Sequence, residues 1–272
     1  MTESDAGVVI ERHPLVPDTS AAAVIRLNRP DRLNPIDGDV LSRMDSLIDQ
    51  VAADPTIRAV LVTGAGRAFS AGGDLKAYAA LQTDPVGFPR FVTELHRVFG
   101  RFRDLGVPVV ALVNGVTAAG GLELLLNCDF AIIAESARIG DGHLNFGQMG
   151  GGGVLTLLPR AIGRARSAEL IFSGRLLSAS EAVEWGLAAR SVPDDELLAS
   201  GLQFAADVAT KSALAVANAK QVMNRLWADN ASVDAGLRYE GEVDAYYCLT
   251  SDDAPEGLAA FAEKRTPRFT GR

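Results

Sequence analysis

Val109-Val110-Ala111-Leu112-Val113-Asn114-Gly115, with Ala118-Ala119-Gly120-Gly121-Leu122-Glu123-Leu124-Leu125-Leu126 just beyond it, decides the fold class. A nearly continuous β-branched run suits a strand covered on both faces. The Asn-Gly pair turns the chain, and a short, very apolar helix follows. Three more runs repeat the theme: Ala23-Val24-Ile25-Arg26-Leu27, Ala59-Val60-Leu61-Val62-Thr63 and Phe130-Ala131-Ile132-Ile133-Ala134. After the first of them Asp37 can cap a helix whose Val40, Met44, Leu47, Ile48 and Val51 recur at helical spacing. Strand, turn, helix, strand is the grammar of an α/β core. It implies stacked ββα-like units, although no residue-level repeat is visible.

From about residue 154 helical patterns take over. Ser178-Ala179-Ser180-Glu181 is a capping box, and Gly186 can end the helix it opens. Asp194, Asp195 and Glu196 favour the start of another helix, predicted to run past Lys211 to about Trp227. Two more are expected at 232–247 and 252–264, and Pro267 stops the last. These patterns divide the chain into an α/β core over 1–190 and a helical C-terminal region over 191–272. Residues 76–95, with Pro85, Gly87 and Pro89, read as a mobile lid.

Composition bounds the function. In 272 residues, 48% are apolar and 22% charged, enough for a real core. Twenty-six basic against 34 acidic residues give a net charge of -8, which argues against nucleic acid as a partner. A polyanionic small molecule remains open, since it needs only a local basic patch. Two cysteines, Cys128 and Cys248, make no disulfide framework. No apolar run approaches the ~18 residues of a membrane span. The acidic start Met1-Thr2-Glu3-Ser4-Asp5 is unlike a signal or transit peptide. The expectation is a soluble cytoplasmic protein.

Several motifs fail on inspection. Gly64-Ala65-Gly66 resembles a dinucleotide fingerprint, but Phe69 stands at the third glycine position. No Walker lysine follows any glycine run. Ser70 sits in a degenerate nucleophile elbow, and three histidines with two scattered cysteines give no metal-ligand spacing. Two glycine-rich stretches remain, Arg67-Ala68-Phe69-Ser70-Ala71-Gly72-Gly73-Asp74-Leu75 and Asn114 to Glu123. They read either as tight turns or as backbone that brings two N–H groups to one ligand oxygen.

These residues also carry a family resemblance along nearly the whole chain. Leu27-Asn28-Arg29-Pro30 with Asn34, Phe69-Ser70-Ala71-Gly72-Gly73-Asp74-Leu75, Val113-Asn114-Gly115 with Gly120-Gly121-Leu122-Glu123-Leu124, Cys128-Asp129, and Phe261 to Phe269 occur in the order and spacing of the crotonase superfamily. The resemblance implies a spiral of ββα repeats with a helical C-terminal trimerisation region, assembled as a homotrimer or a dimer of trimers. It implies an acyl-CoA substrate, no cofactor beyond the coenzyme A of that substrate, and no metal. Matched motif to motif, the oxyanion-hole amides fall at Ala71 and Gly120. Arg32, Leu33, Ala71, Gly73, Asp74, Leu75, Gly120, Asp141, Met149, Phe261 and Lys264 are the implied substrate-binding set, with Phe261 and Lys264 at the adenine end.

Typical hydratases of this family hold a water between two glutamates. The first matches Glu123, whose alternative is a solvent-facing site in contact with Asn127. The second position holds His143, within Gly140-Asp141-Gly142-His143-Leu144. His143 either replaces the glutamate as acid-base group or fills a polar gap, and Asp141 could orient it or substitute for it. The next loop, Gln148-Met149-Gly150-Gly151-Gly152-Gly153, replaces a stiffer turn with what reads as a flexible glycine run. The leading expectation is an enoyl-CoA hydratase-like lyase with Glu123 as base and His143 as partner. Isomerisation, decarboxylation, ring hydrolysis or acyl-CoA binding without turnover are the alternatives.

Overall fold

A computed structural model describes residues 7–15, 20–229 and 231–272; the acidic start at 1–5 lies outside them. The chain opens with β1 (Val8–Pro14), β2 (Ala21–Leu27) and α1 (Gly38–Ala53), which the Asp37 carboxylate caps by accepting from the Val40 amide at 3.0 Å. Three ββ units follow: β3 (Ile57–Gly64) with β4 (Ala68–Ser70), β5 (Val109–Val113) with β6 (Val116–Ala118), and β7 (Phe130–Ala134) with β8 (Arg138–Gly140). Each unit leads into helix: α2 (Leu75–Leu81) and α3 (Gly87–Asp104), then α4 (Gly120–Leu125), then α5 (Val154–Ile162). The first strand of each unit joins one sheet and the second joins another.

The larger sheet has the order β1-β2-β3-β5-β7-β10, with β10 at Arg190–Val192, and is parallel apart from the β1–β2 pair. The smaller has the order β4-β6-β8-β9, with β9 at Leu177–Ser178. This is the expected spiral, and the repeat is one of geometry rather than of residues. The four apolar runs all lie in the larger sheet, where β5 is buried throughout. Such strands need cover on both faces. Side chains of α1 (Met44, Leu47, Ile48) and of α3 (Val98, Phe99, Phe102) belong to the same core. From the C-terminal side α8 (Leu197–Ala209) joins it, Phe204 meeting Phe130 edge-on at 4.9 Å.

The remaining helices are α6 (Arg164–Ser173), α7 (Ala179–Glu184), α9 (Ala213–Asp229), α10 (Val233–Thr250) and α11 (Asp253–Glu263). The capping box at α7 forms as expected. Three expectations are corrected. The helix predicted from Asp194 to Trp227 is two, α8 and α9, because the Ser212 hydroxyl accepts from the Ala215 amide at 3.1 Å and starts a new helix. The helix expected from Ala118 starts at Gly120: Ala118 ends β6, and Ala119 is a sharp turn before α4. The segment 76–95 is helical in α2 and α3; Pro89 lies in the first turn of α3, where a missing N–H costs no bond.

Candidate active site

The site forms where the ends of β4, β6 and β8 come together. Thr117 and Ala118 pair in parallel with Ile139 and Gly140, so the turn into α4 lies beside the Asp141–His143 segment. Ala119 adopts φ 49°, unusual for a residue with a Cβ. Its amide, donating to the Asp141 carbonyl at 2.7 Å, holds that conformation in place. Strain of this sort costs on the order of 1–3 kcal/mol, and it sets the direction of the next amide, Gly120.

Glu123, on α4, is only 2% exposed. Its side chain does not reach Asn127, whose amide instead donates to the Glu123 backbone carbonyl at 2.8 Å. The solvent-facing alternative is thereby excluded. Glu123 Oε1 accepts from the Gly152 amide at 2.6 Å and from the Val154 amide at 3.4 Å. Burial pushes its carboxyl above the usual glutamate range, against the pull of a charged His143 and of those two amides, and Asp141 adds to the push. The glycine run is therefore a fitted cover. A Cβ on Gly152 would stand 2.2 Å from Glu123 Oε2 and 2.4 Å from Leu95 Cδ2.

His143 opens a 3-10 turn over His143–Phe146. Its Nδ1 lies 2.7 Å from Asp141 Oδ1, and because a carboxylate only accepts, the ring nitrogen donates. Burial disfavours charge on this imidazole. The Asp141 hydrogen bond and the negative fields of Asp141 and Glu123 outweigh it and hold the ring above its ordinary pKa.

Two cavities adjoin here. One of about 40 Å³ is lined by Glu123, His143, Gly73, Gly120, Gly151 and Gly152 and by the apolar side chains of Ile36, Tyr78, Phe91, Val92 and Leu95. One of about 410 Å³ is lined by residues 71–76, Arg32, Pro35, Tyr78, Ala118, Ala119, 141–143, Phe146 and Gln148. Gly73, Tyr78 and His143 border both. His143 thus stands between the small chamber, which Glu123 lines, and the larger one, which Asp141 lines.

Of the expected site residues, Glu123, His143, Gly73 and Gly120 line the small cavity; Arg32, Ala71, Gly73, Asp74, Leu75, Asp141 and His143 line the large one. Arg32 pairs with Asp74, whose other oxygen caps α2 by accepting from the Lys76 and Ala77 amides. Ala71 must be corrected as an oxyanion donor. Its amide is spent on the Leu33 carbonyl at 2.9 Å, which is also how Leu33 acts, since it lines neither cavity. The amide nitrogen of Gly73, two residues on, lies 3.7 Å from where a Cβ on Gly120 would sit. Met149 points away, 71% exposed, and Phe261 and Lys264 lie exposed at the end of α11, outside both cavities.

The apolar wall of Tyr78, Phe91, Val92 and Leu95 comes from the segment read as a lid, and the sequence reading singled out none of the four. The stripe Phe91, Leu95, Val98, Phe99 and Phe102 at helical spacing carried the signal. Among the described residues no cluster of His, Cys, Asp or Glu could hold a metal ion, and no helix is long and apolar enough to cross a membrane.

Known proteins share this sequence and fold. The family model described as Enoyl-CoA hydratase/isomerase matches residues 18–272. The chain is 36% identical over 258 residues to "Probable enoyl-CoA hydratase echA8" of Mycobacterium bovis, covering 95% of this chain and 98% of the relative. It is 37% identical over 255 residues to the 1,2-epoxyphenylacetyl-CoA isomerase of Escherichia coli, covering 91% of this chain and 94% of that one. The crystal structure of an enoyl-CoA hydratase from Bacillus anthracis superposes with a TM-score of 0.88 at 32% identity, covering 98% of this chain and all of the other. A spiral of ββα units, a buried glutamate behind a helix-opening Gly-Gly and these matches across nearly the whole length together make the chain an enzyme of the crotonase, or enoyl-CoA hydratase/isomerase, superfamily.

Proposed function

We propose that the protein hydrates a 2,3-unsaturated acyl-CoA, with the thioester oxygen held by the amides of Gly73 and Gly120. Glu123 takes a proton from water as the water oxygen bonds to C3. The C2=C3 pair moves toward C1, and negative charge collects on the thioester oxygen, where the two amides stabilise it. His143, held by Asp141, gives its proton to C2, and the products are a 3-hydroxyacyl-CoA and an enzyme ready to exchange protons with solvent. One observation carries this reading: a buried carboxyl and an imidazole, each with a raised pKa, face the same small cavity beside the two amides. The test is loss of conjugated thioester absorbance with crotonyl-CoA. A protein that binds crotonyl-CoA yet leaves the absorbance unchanged would overturn it.

Double-bond isomerisation is the second reading, favoured by the imidazole in place of a second glutamate and by the likeness to an isomerase. A 3-enoyl-CoA that gains conjugated absorbance faster than crotonyl-CoA loses it would select isomerisation.

In the same proposal the exposed helices α10 and α11 build a trimer, or a dimer of trimers, which places Phe261 and Lys264 at a neighbour's adenine end.

A further inference from the structure

Glu123 Oε1 accepts from two amides, and that of Gly152, at 2.6 Å, is the closer. The same peptide unit has a second polar end, the Gly151 carbonyl, which lies 2.6 Å from His96 Nε2. A carbonyl only accepts, so the imidazole nitrogen donates. In a trans peptide the C=O and the N–H point in opposite directions across one rigid plane. His96 and Glu123 therefore grip the two ends of a single plane, His96 from the exposed side of the cover and Glu123 from the buried side.

Sterics do little to fix that plane. Gly151 and Gly152 carry no Cβ, so the peptide between them is free to turn. Val92 and Leu95 of α3 pack against it: a Cβ on Gly151 would lie 3.9 Å from Val92 Cγ2, and one on Gly152 would collide with Leu95. Apolar contacts of this kind limit space but set no direction for a dipole. His96, the residue after Leu95 on the same helix, supplies a directional contact. A donor on the carbonyl also polarises the amide at the far end of the peptide, strengthening its hydrogen bond by roughly 10–30%.

We propose that His96 is a positioning residue: it orients and polarises the Gly151–Gly152 peptide, and through that peptide it holds the Glu123 carboxylate in its working place. This rests on the reading of Glu123 as the base. His96 lines neither cavity, so it acts at one remove from the ligand. The Gly152 amide favours the charged carboxylate, against the burial that opposes it. Without His96 that bond weakens, and the carboxyl is left still further above the usual glutamate range. The other titratable groups facing Glu123 are His143 and Asp141, beyond β8, and Tyr78 on α2. Substituting His96 removes none of them.

The experiment titrates the Glu123 carboxyl by infrared difference spectroscopy without ligand, the band being assigned by its loss in Glu123→Gln. The parent, His96→Ala and His96→Gln are compared, and the pH profile of kcat/KM on crotonyl-CoA is recorded for each. His96 is exposed, so neither substitution opens the core. In His96→Ala the Glu123 titration should rise by about 0.5–2 pH units, the upper figure matching complete loss of a hydrogen bond to a charged group. The acid limb of kcat/KM should move up with it, while melting temperature and butyryl-CoA affinity stay at the parent values. His96→Gln keeps an N–H donor at similar reach and should restore both titrations. An unchanged Glu123 titration in His96→Ala overturns the proposal. Equal shifts in His96→Ala and His96→Gln overturn it too, because donation to the carbonyl would then not be the cause. A parent protein that leaves crotonyl-CoA unreacted refutes hydration alone, and the infrared shift still decides whether His96 positions Glu123.

Discussion

The proposed function concentrates the chemistry in one side chain, Glu123, and its burial makes two outcomes readable. Glu123→Gln keeps the shape and both backbone donors but removes the base, so turnover should fall by at least ~100-fold, the usual scale for general-base catalysis. Affinity for a saturated acyl-CoA should be retained, measured by calorimetry. The pH profile carries the second outcome. In the proposed hydration Glu123 works as the carboxylate, and its pKa is raised by burial, so kcat/KM should fall as pH drops through a value above the usual glutamate range. In the same proposal His143 works as the imidazolium, and its pKa is raised by Asp141 against the cost of burial, so activity should fall again as pH climbs through a value above the ordinary histidine one. In His143→Gln the alkaline limb should vanish while the acid limb stays. A bell that survives the substitution would remove His143 from proton transfer. Glu123 and Gly120 were legible in the sequence because the helix-opening motif puts both on one turn. The second amide of the proposed pair, Gly73, was not. The motif identifies the loop, but which N–H is free depends on the Ala71 bond to Leu33, 38 residues earlier in the chain.

At the scale of elements, the cover over Glu123 is built from three segments that the sequence made look loose. Gly150 to Gly153 reads as a flexible run, yet Gly152 is tied by its amide to the Glu123 carboxylate, and His96 of α3 lies 2.6 Å from the Gly151 carbonyl. Tyr78 of α2 meets Phe88 and Phe91 of α3 edge-on at 5.3 and 6.3 Å, so the expected lid is a packed helical pair. Composition misled here: glycine and proline suggest irregular chain, whereas the apolar stripe of α3 shows its helix only once Pro89 is placed in the first turn. Gly152→Ala tests the fitted cover. The new methyl collides with Glu123 and Leu95, which should cost about 1–3 kcal/mol of stability, as overpacking does. The displaced carboxylate should lower kcat more than tenfold. A variant with unchanged melting temperature and unchanged kcat would mean that the loop yields freely.

For the whole molecule, what stands out is how unevenly the C-terminal helices are anchored. α9 is pinned through Lys220, whose buried Nζ lies 2.8 Å from Asp129 Oδ2 and donates to the Phe102 and Val107 carbonyls. α10 and α11 instead present Leu237, Tyr246, Leu249, Leu258 and Phe261 to the outside, Leu249 at 85% and Phe261 at 86% exposure. Gathered into one contiguous patch, such residues would mark an interface. The helical patterns of this region were legible, but which face they leave open was not, because apolar residues fall on several sides of α10. If copies of the chain cover that face, light scattering should give three or six times the 28.6 kDa of one chain. The paired substitution Leu249→Glu with Phe261→Glu should then shift the mass toward one chain, since burying two new carboxylates is costly. Lys264 separates assembly from catalysis. Should it reach a neighbour's ligand, Lys264→Ala would raise KM for acyl-CoA several-fold with kcat nearly unchanged, the signature of lost ground-state binding. That effect should disappear in the dissociated variant, where no neighbour supplies the lysine. An equal KM penalty from Lys264→Ala in the assembled and dissociated proteins would instead put the lysine in its own subunit's site, and the shared adenine end would have to be abandoned.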